Sequence, residues 1–126
     1  MEVEGRIAFT ITERTAERVT AAMPVQPGML NPYGIVNAGA MVWFADVCAS
    51  VLVNGDQEWA VGAAGFPLGV SINADFMGNQ SDGVLVATSL YQRRDRRLSV
   101  VQTTISGKDG MELARVVTKH LAAKPM

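Results

Sequence analysis

The alternation of hydrophobic and polar side chains predicts extended strands in both halves of the chain. Near the amino terminus, Ile7, Phe9 and Ile11 recur at every second residue and therefore share one face of a strand. This period of two predicts strands over residues 5–12 and 17–25, and three more strands are predicted over residues 84–92, 98–106 and 112–122. The stretch Trp59–Met77 is also predicted to be extended, with a break at Gly65-Phe66-Pro67.

One long apolar run, residues 38–53, predicts a helix instead. Its length and its alanines favour a helix, Asn37 is a suitable N-cap, and Asn54-Gly55 is a suitable stop. A helix that is apolar on every side is expected to be buried on every side. The run is shorter than the roughly 20 residues that a bilayer requires, and Asp46 interrupts it, so a membrane span is not expected.

The order of these elements predicts the fold class. Two strands, a central helix and then three or four strands are typical of an α+β protein in which an antiparallel sheet wraps around one long buried helix. A chain of 126 residues is long enough to bury such a core, so we expect one domain over residues 1–126. Lysine and arginine are absent from Val19 to Ala74, which indicates that the middle of the chain is interior.

Composition narrows the classes of function. Hydrophobic residues make up 48% of the chain, which excludes a disordered tail, and the net charge of −1 gives no general attraction to nucleic acid or anionic lipid. The one cysteine, Cys48, and the one histidine, His120, are interpreted as structural, and a histidine-based metal site is not expected. The amino terminus lacks an apolar signal region, so we expect a cytoplasmic protein in which the glycosylation triplet Asn79-Gln80-Ser81 has no role.

Asp46 is the strongest candidate for a functional residue. It lies near the middle of the otherwise uncharged helix, where an unpaired buried carboxylate is costly and therefore rare. Ser50 follows it by four residues and Gly39 precedes it by seven, so all three project from the same helix face. The alternative interpretations are structural: a carboxylate satisfied by backbone or by a subunit contact, and a bond from the Ser50 hydroxyl to the Asp46 carbonyl.

Two further features are candidates for ligand binding. The segment Asn37-Ala38-Gly39 leaves backbone N–H groups free at the positive end of the helix dipole, which suits the anionic oxygen of an acyl-transfer transition state. The run from Arg93 to Arg97 places four basic residues at one predicted hairpin turn. Such a run is either a solvated turn that discourages edge pairing or a clamp for phosphate groups.

The sequence of this central region resembles the hotdog-fold acyl-CoA thioesterases. The motif is Asn31-Pro32-Tyr33-Gly34-Ile35-Val36-Asn37-Ala38-Gly39-Ala40, followed by Asp46 at a spacing of 15 from Asn31. Residues 70–77, 82–98 and 109–121 resemble the later strands of that family, so the likeness covers nearly the whole chain. The phenylacetic-acid-degradation type is the most similar subgroup, and 4-hydroxybenzoyl-CoA thioesterase, which has glutamate at the acid position, is related to it.

The resemblance implies hydrolysis of an acyl-CoA thioester to a free acid and CoA. Asp46 would be the nucleophile or the general base that activates water, the Ala38 N–H would hold the thioester oxygen, and Asn31 would orient the water or the carbonyl. Arg96 and Arg97 fall near the position that meets the nucleotide end of CoA. The implied catalytic residues are Asp46, Asn31, Ala38, Asn37 and Ser50, and the implied substrate-binding residues are Gly39, Arg96 and Arg97.

Members of the family build each site across a dimer interface. By resemblance, Asn31 and Ala38 of one chain would face Asp46 of a second copy, in a homodimer that assembles further into a homotetramer. The resemblance implies no metal or redox cofactor, because CoA enters only as part of the substrate.

The chain departs from the family motif at two places. The family has His-Gly-Gly where this chain has Asn37-Ala38-Gly39, and it often has Arg-Pro where this chain has Gly78-Asn79, which removes one contact to CoA. The first departure favours an alternative, a non-catalytic hotdog module that binds an acyl-thioester or aromatic ligand. A hotdog hydratase or dehydratase is disfavoured, because those sites pair the acid with a histidine a few residues later, and Asp46 is followed by none.

Overall fold

The described part of the chain forms six strands and one long helix. In the computed structural model, the described residues are 2, 5–56 and 66–122. The elements are β1 (Thr10–Arg14), β2 (Arg18–Pro24), α1 (Ala38–Asn54), β3 (Leu68–Phe76), β4 (Val84–Arg94), β5 (Leu98–Ser106) and β6 (Glu112–Leu121). Residues 59–65, which include Gly65 and begin the predicted extended stretch Trp59–Met77, lie outside the described residues, and β3 forms most of its remainder.

These six strands form one antiparallel sheet in the order β1-β2-β4-β5-β6-β3. The helix α1 crosses one face of that sheet and contacts β2, β3, β4, β5 and β6. Inward-facing side chains of the central strands, such as Ala87, Val101 and Val116, are fully buried against it. The predicted fold class, an antiparallel sheet wrapped around one long helix, is confirmed.

The ends of α1 are those that the sequence predicts. The Asn37 side chain accepts a hydrogen bond from the Gly39 N–H at 3.0 Å, which caps the first turn. Gly55 ends the helix with a φ of 62°, a left-handed conformation that glycine adopts without steric cost.

The prediction that α1 is buried on every side is wrong. The sheet covers only one side of the helix, and on the other side Trp43 is 39% exposed while Asp46 and Ser50 are half-buried. The buried residues of α1 are Ala40, Met41, Phe44, Ala45, Cys48, Ala49, Leu52 and Asn54. The helix therefore presents an apolar side to the core and a second side that is open to a ligand or partner.

The predicted strand over residues 5–12 begins later than expected, at Thr10. The Gln26 side chain bonds both backbone groups of Ala8, donating to its carbonyl at 2.7 Å and accepting from its N–H at 3.1 Å. A side chain thus satisfies the backbone that would otherwise pair with a strand. The predicted apolar face is confirmed, because Ile7, Phe9 and Ile11 pack against the core.

β3 corrects the inference that the middle of the chain, which lacks lysine and arginine, is interior. It is an edge strand, paired only with β6 among the described strands, and nearly all of its residues are exposed. Leu68 is 68% and Val70 52% exposed, and Ile72 and Phe76 are also exposed. The absence of lysine and arginine in this part of the chain therefore marks an apolar surface of the single chain, not only its core.

Candidate functional site

An open groove runs between α1 and the start of β3. It has a volume of about 490 Å³. Its lining residues are Asp46, Ser50, Phe66, Pro67, Leu68, Gly69, Val70, Ser71 and Ile72. Because Asp46 and Ser50 are one helical turn apart, both project into the groove from α1, as their spacing predicts.

The Asp46 carboxylate is half-buried in this groove. Within residues 5–56 and 66–122, no hydrogen bond or ion pair holds it. The Ser50 hydroxyl has no hydrogen-bond partner there either, so the alternative bond to the Asp46 carbonyl is not formed. A half-buried carboxylate whose oxygens are both unengaged is available to accept a proton or to attack an electrophile.

The structure brings His120 close to Asp46, although the two residues are far apart in sequence. His120 lies on β6 in register with Gly69 of β3, and a Cβ atom on Gly69 would lie 4.0 Å from the Asp46 Oδ1. The ring is buried, and its Nε2 is 2.8 Å from the Thr118 hydroxyl. Burial lowers the pKa of His120 below its usual value, and the Asp46 charge partly opposes that shift. Sequence analysis missed this neighbour, and the only signal was the period of two that places Thr118 and His120 on the inner face of β6.

Because burial lowers the pKa of His120, we expect stability to fall as the solution is acidified. In the unfolded chain the histidine has its ordinary pKa of 6.5 and binds the proton before the folded chain does, so the free energy of unfolding declines as the pH falls through that value. A His120→Gln variant should lose less stability between about pH 7 and pH 5.5 than the wild type. Urea unfolding at several pH values measures this, and parallel profiles for the two proteins would contradict it.

The loop before α1 places the predicted oxygen-binding group at the surface. The Asn37 N–H donates to the Met29 carbonyl at 2.7 Å, and the Asn37 side chain is engaged by Gly39. The Ala38 N–H has no acceptor among the described residues, and Ala38 is exposed. Of the motif Asn37-Ala38-Gly39, it is therefore the Ala38 N–H that remains available to an incoming oxygen.

Asn31 is oriented by its own loop. Its Oδ1 accepts from the Tyr33 N–H at 2.9 Å and from the Ile35 N–H at 3.3 Å. This local bonding is the usual behaviour of asparagine in a turn. With the oxygen engaged, the amide Nδ2 of Asn31 is left to donate a hydrogen bond to a ligand.

Asp46 and the helix amino terminus do not meet within one chain. Ala38 and Asp46 are eight positions apart on the helix, which is about 12 Å along the axis. Gly39 shares the helix face of Asp46, as predicted, but it lines a different cavity of about 220 Å³ with Asn37 and Trp43. The two halves of the predicted site are therefore separate in the single chain.

Asn79 is a structural partner of this loop that sequence analysis did not identify. It follows β3, and its side chain donates to the Val36 carbonyl at 2.8 Å and accepts from the Val36 N–H at 2.9 Å. The two residues are 43 positions apart, so no local pattern could have linked them. Both ends of the Asn79 amide are therefore engaged inside the protein.

The arginine run forms the predicted turn between β4 and β5. Arg93 pairs with Asp95 at 2.7 Å, and the Arg94 guanidinium lies 4.6 Å from the centre of the Tyr91 ring. Arg96 and Arg97 are exposed, and the Arg97 carbonyl accepts from the Ala122 N–H. This turn lies at the end of the sheet where β3 begins, because Leu98, Leu121 and Leu68 are in register across β5, β6 and β3.

Cys48 belongs to the core, as predicted. It is fully buried on α1, and burial raises the pKa of its thiol to about 12, so it is not a nucleophile. Within residues 2, 5–56 and 66–122, no group of three His, Cys, Asp or Glu side chains is arranged to hold a metal ion. None of the described helices has the length and hydropathy that crossing a bilayer requires.

Two curated proteins are similar in sequence to this chain. Putative esterase VC_A0580 of Vibrio cholerae is 30% identical over 99 residues, which are 79% of this chain and 63% of that protein. Putative esterase ComA2 of Bacillus subtilis is 32% identical over 81 residues, which are 64% of this chain and 62% of that protein. The chain spans less than two thirds of the length of either relative. No family model matches the chain.

Solved structures identify the fold. The thioesterase SAV0944 of Staphylococcus aureus, as a variant, superposes with a TM-score of 0.84 at 19% identity, covering 92% of this chain and 93% of that one. A hypothetical thioesterase of Streptococcus pneumoniae, in a structure with coenzyme A, gives a TM-score of 0.80 at 14% identity, covering 92% and 86%. The chain has the hotdog fold that these thioesterases share, and at such low identity the likeness establishes the fold alone.

Proposed function

We propose that this protein hydrolyses an acyl-CoA thioester to a free acid and CoA. The observation that carries the proposal is Asp46, the one acid of α1, which lines an open groove without a hydrogen-bond partner in the described structure. In the reaction, an oxygen attacks the thioester carbonyl carbon, the carbon–sulfur bond breaks, and the CoA sulfur takes up a proton. Asp46 is either the base that takes the proton from the attacking water or the nucleophile, whose acyl anhydride water then hydrolyses.

The Ala38 N–H supplies the group that stabilises the reacting oxygen. As the carbon–oxygen double bond of the thioester becomes single, negative charge develops on the oxygen. An unengaged N–H in the first turn of α1 lies at the positive end of the helix dipole, where it favours that charge. Asn31 contributes the free donor of its side chain, which orients the carbonyl or the water.

Two copies of the chain are needed to complete this site. The oxygen and the attacked carbon of a thioester are adjacent atoms, whereas Ala38 and Asp46 of one chain are about 12 Å apart along the helix. We therefore infer that Ala38 and Asn31 of one copy face Asp46 of the other in a homodimer. Sedimentation at micromolar concentration tests this, and a monomer that remains fully active would contradict it.

The exposed apolar surface of β3 supports the same inference. An edge strand that carries large exposed apolar side chains, among them Leu68, Val70 and Ile72, invites pairing with another chain. Three of these residues also line the Asp46 groove, so a second copy seated on β3 would close that groove. Association of two such dimers into a homotetramer is the larger assembly that the family resemblance implies.

Coenzyme A is the proposed carrier of the acyl group. The hotdog-fold protein of Streptococcus pneumoniae was crystallised with coenzyme A. In this chain, the exposed Arg96 and Arg97 lie at the end of the sheet where the Asp46 groove begins. Guanidinium groups bind phosphate well, so we assign this turn to the nucleotide end of CoA.

The spacing of the motif supports the assignment of Asn31 and Asp46. The Staphylococcus aureus thioesterase has been crystallised with a glutamine replaced by alanine and, separately, with a glutamate fifteen positions later replaced by alanine. Asn31 and Asp46 are separated by the same fifteen positions. Within the thioesterases, we propose the phenylacetic-acid-degradation type as the subgroup, on the resemblance of the motif from Asn31 to Asp46.

Thiol release from a panel of acyl-CoAs tests the proposed function. Short, medium and aromatic acyl-CoAs, including phenylacetyl-CoA, are supplied to the wild-type protein, and a thiol reagent reports free CoA. We expect turnover of at least one member. Binding of these esters without turnover would favour the alternative, a non-catalytic module, which the replacement of His-Gly-Gly by Asn37-Ala38-Gly39 supports.

A further inference from the structure

We propose that Asn79 is a positioning residue for the Ala38 N–H. Its amide fixes Val36 and, through Val36, the first turn of α1. The inference rests on the proposed function, in which that N–H holds the thioester oxygen. Asn79 lies outside the motif, just after the edge strand β3. The inference adds it to the residues that determine the rate.

The side chain of Asn79 pairs with the backbone of Val36. The Asn79 side chain makes two hydrogen bonds to Val36, one to its N–H and one to its carbonyl, at 2.9 and 2.8 Å. A primary amide is suited to this pairing because it carries a donor and an acceptor side by side. It thus satisfies both backbone groups of a residue that is itself 1% exposed.

Asn79 is itself held in place by the segment that carries it. The residues before it are tied to β6, because the N–H groups of Met77 and Gly78 both donate to the Leu113 carbonyl, at 2.8 and 3.2 Å. The N–H of the next residue, Gln80, donates to the Asn79 Oδ1 at 2.7 Å. The amide therefore projects from a segment that is anchored to the sheet and cannot easily rotate away from Val36.

The position of Val36 affects the first turn of α1. Asn37 is the N-cap of α1. Its N–H donates to the Met29 carbonyl at 2.7 Å, which ties the residue before Ala38 to an earlier part of the same loop. Ala38 follows directly. The peptide group that carries the Ala38 N–H therefore lies between Val36, which Asn79 holds in place, and the rest of the helix. Small displacements of such a donor are costly, because a misplacement of about 1 Å can lower a rate by about a hundredfold.

These contacts direct the Asn79 amide to the loop and not to the candidate site. Its amide oxygen serves two N–H groups and its nitrogen serves one carbonyl. It neither faces the Asp46 groove nor lines the cavity at the helix amino terminus. Its effect on the reaction must pass through the loop that it holds.

The experiment compares Asn79→Ala with Gln80→Ala. The Gln80 side chain is a matched control, because it also bridges two loops, donating to the Asp82 carbonyl at 2.9 Å and accepting from the Lys108 N–H at 2.9 Å, away from Val36. For Asn79→Ala we expect kcat to fall by about ten- to a hundredfold with KM unchanged, because the oxygen is held only in the transition state. For Gln80→Ala we expect kcat within about twofold of the wild type, even where the two variants lose similar stability.

Amide hydrogen exchange provides a readout that does not depend on turnover. In Asn79→Ala, the Asn37 N–H should exchange faster, because its bond to Met29 is no longer braced, whereas Gln80→Ala should leave it unchanged. Unchanged exchange at Asn37, or faster exchange with an unchanged kcat, would overturn the inference alone. If exchange is faster in Asn79→Ala but the wild-type protein hydrolyses no acyl-CoA, the proposed function is overturned, and the inference with it.

Discussion

Replacing Asp46 with asparagine should abolish thioester hydrolysis and leave the fold intact. The amide has nearly the same shape as the carboxylate but can neither accept a proton from water nor attack a carbonyl. A positioned base contributes about a hundredfold to ten-thousandfold to a rate, so we expect kcat to fall by that factor. Stability should change little, because no hydrogen bond or ion pair to the carboxylate exists in the described residues. Thiol release and urea unfolding measure the two effects.

Asp56→Asn is the matched control for this experiment. It makes the same chemical change in an exposed acid just beyond the end of α1, outside the groove. We expect it to hydrolyse acyl-CoA at the wild-type rate. Equal rates for the wild type and Asp46→Asn would remove Asp46 from the mechanism. A loss of rate in both variants would point to a general effect of negative charge on the assembly.

Replacing Ala38 with proline should remove the oxygen-binding group without disturbing the helix. Proline is favoured at the first position of a helix, because the N–H that it lacks has no partner inside the helix. The preceding residue, Asn37, already has the extended conformation that proline requires, with φ −65° and ψ 133°. Loss of one such donor costs about a hundredfold to a thousandfold in kcat, and we expect that loss with α1 unchanged in circular dichroism.

Ala38→Gly provides the comparison, because it keeps the N–H and removes only the methyl group. It should retain activity, and it places glycine where the thioesterases that the chain resembles have it. If Ala38→Pro were as active as Ala38→Gly, the helix amino terminus would not be the site that holds the oxygen. An inactive Ala38→Pro with intact structure and unaltered binding of CoA would support it.

The helix and most of the strands follow from local patterns of residue type. The N-cap at Asn37, the stop at Gly55 and the alternation along β4, β5 and β6 are each set by residues within a few positions of one another. The start of the first strand was placed too early. There the Gln26 side chain takes the backbone bonds of Ala8, and such a tertiary contact leaves no periodic trace in the sequence.

The burial predictions were less successful for a related reason. The hydropathy of a segment predicts that its side chains are more stable away from water. It does not predict which other surface they pack against. The apolar side chains of β3 and the exposed Trp43 of α1 satisfy the pattern of an interior while lying on the surface of the single chain. A second copy in the proposed homodimer would cover these side chains.

The sequence by itself determined the elements of this protein, its fold class and the identity of Asp46 as the exceptional acid, since each depends on residue type and short-range spacing. Only the tertiary structure decided the surroundings of that acid. Sheet order, not sequence distance, brings Gly69 and His120 beside Asp46, and a contact across 43 residues joins Asn79 to the loop of Ala38. Pairings at such separations follow from how the strands are arranged in the sheet, and no local pattern encodes that arrangement.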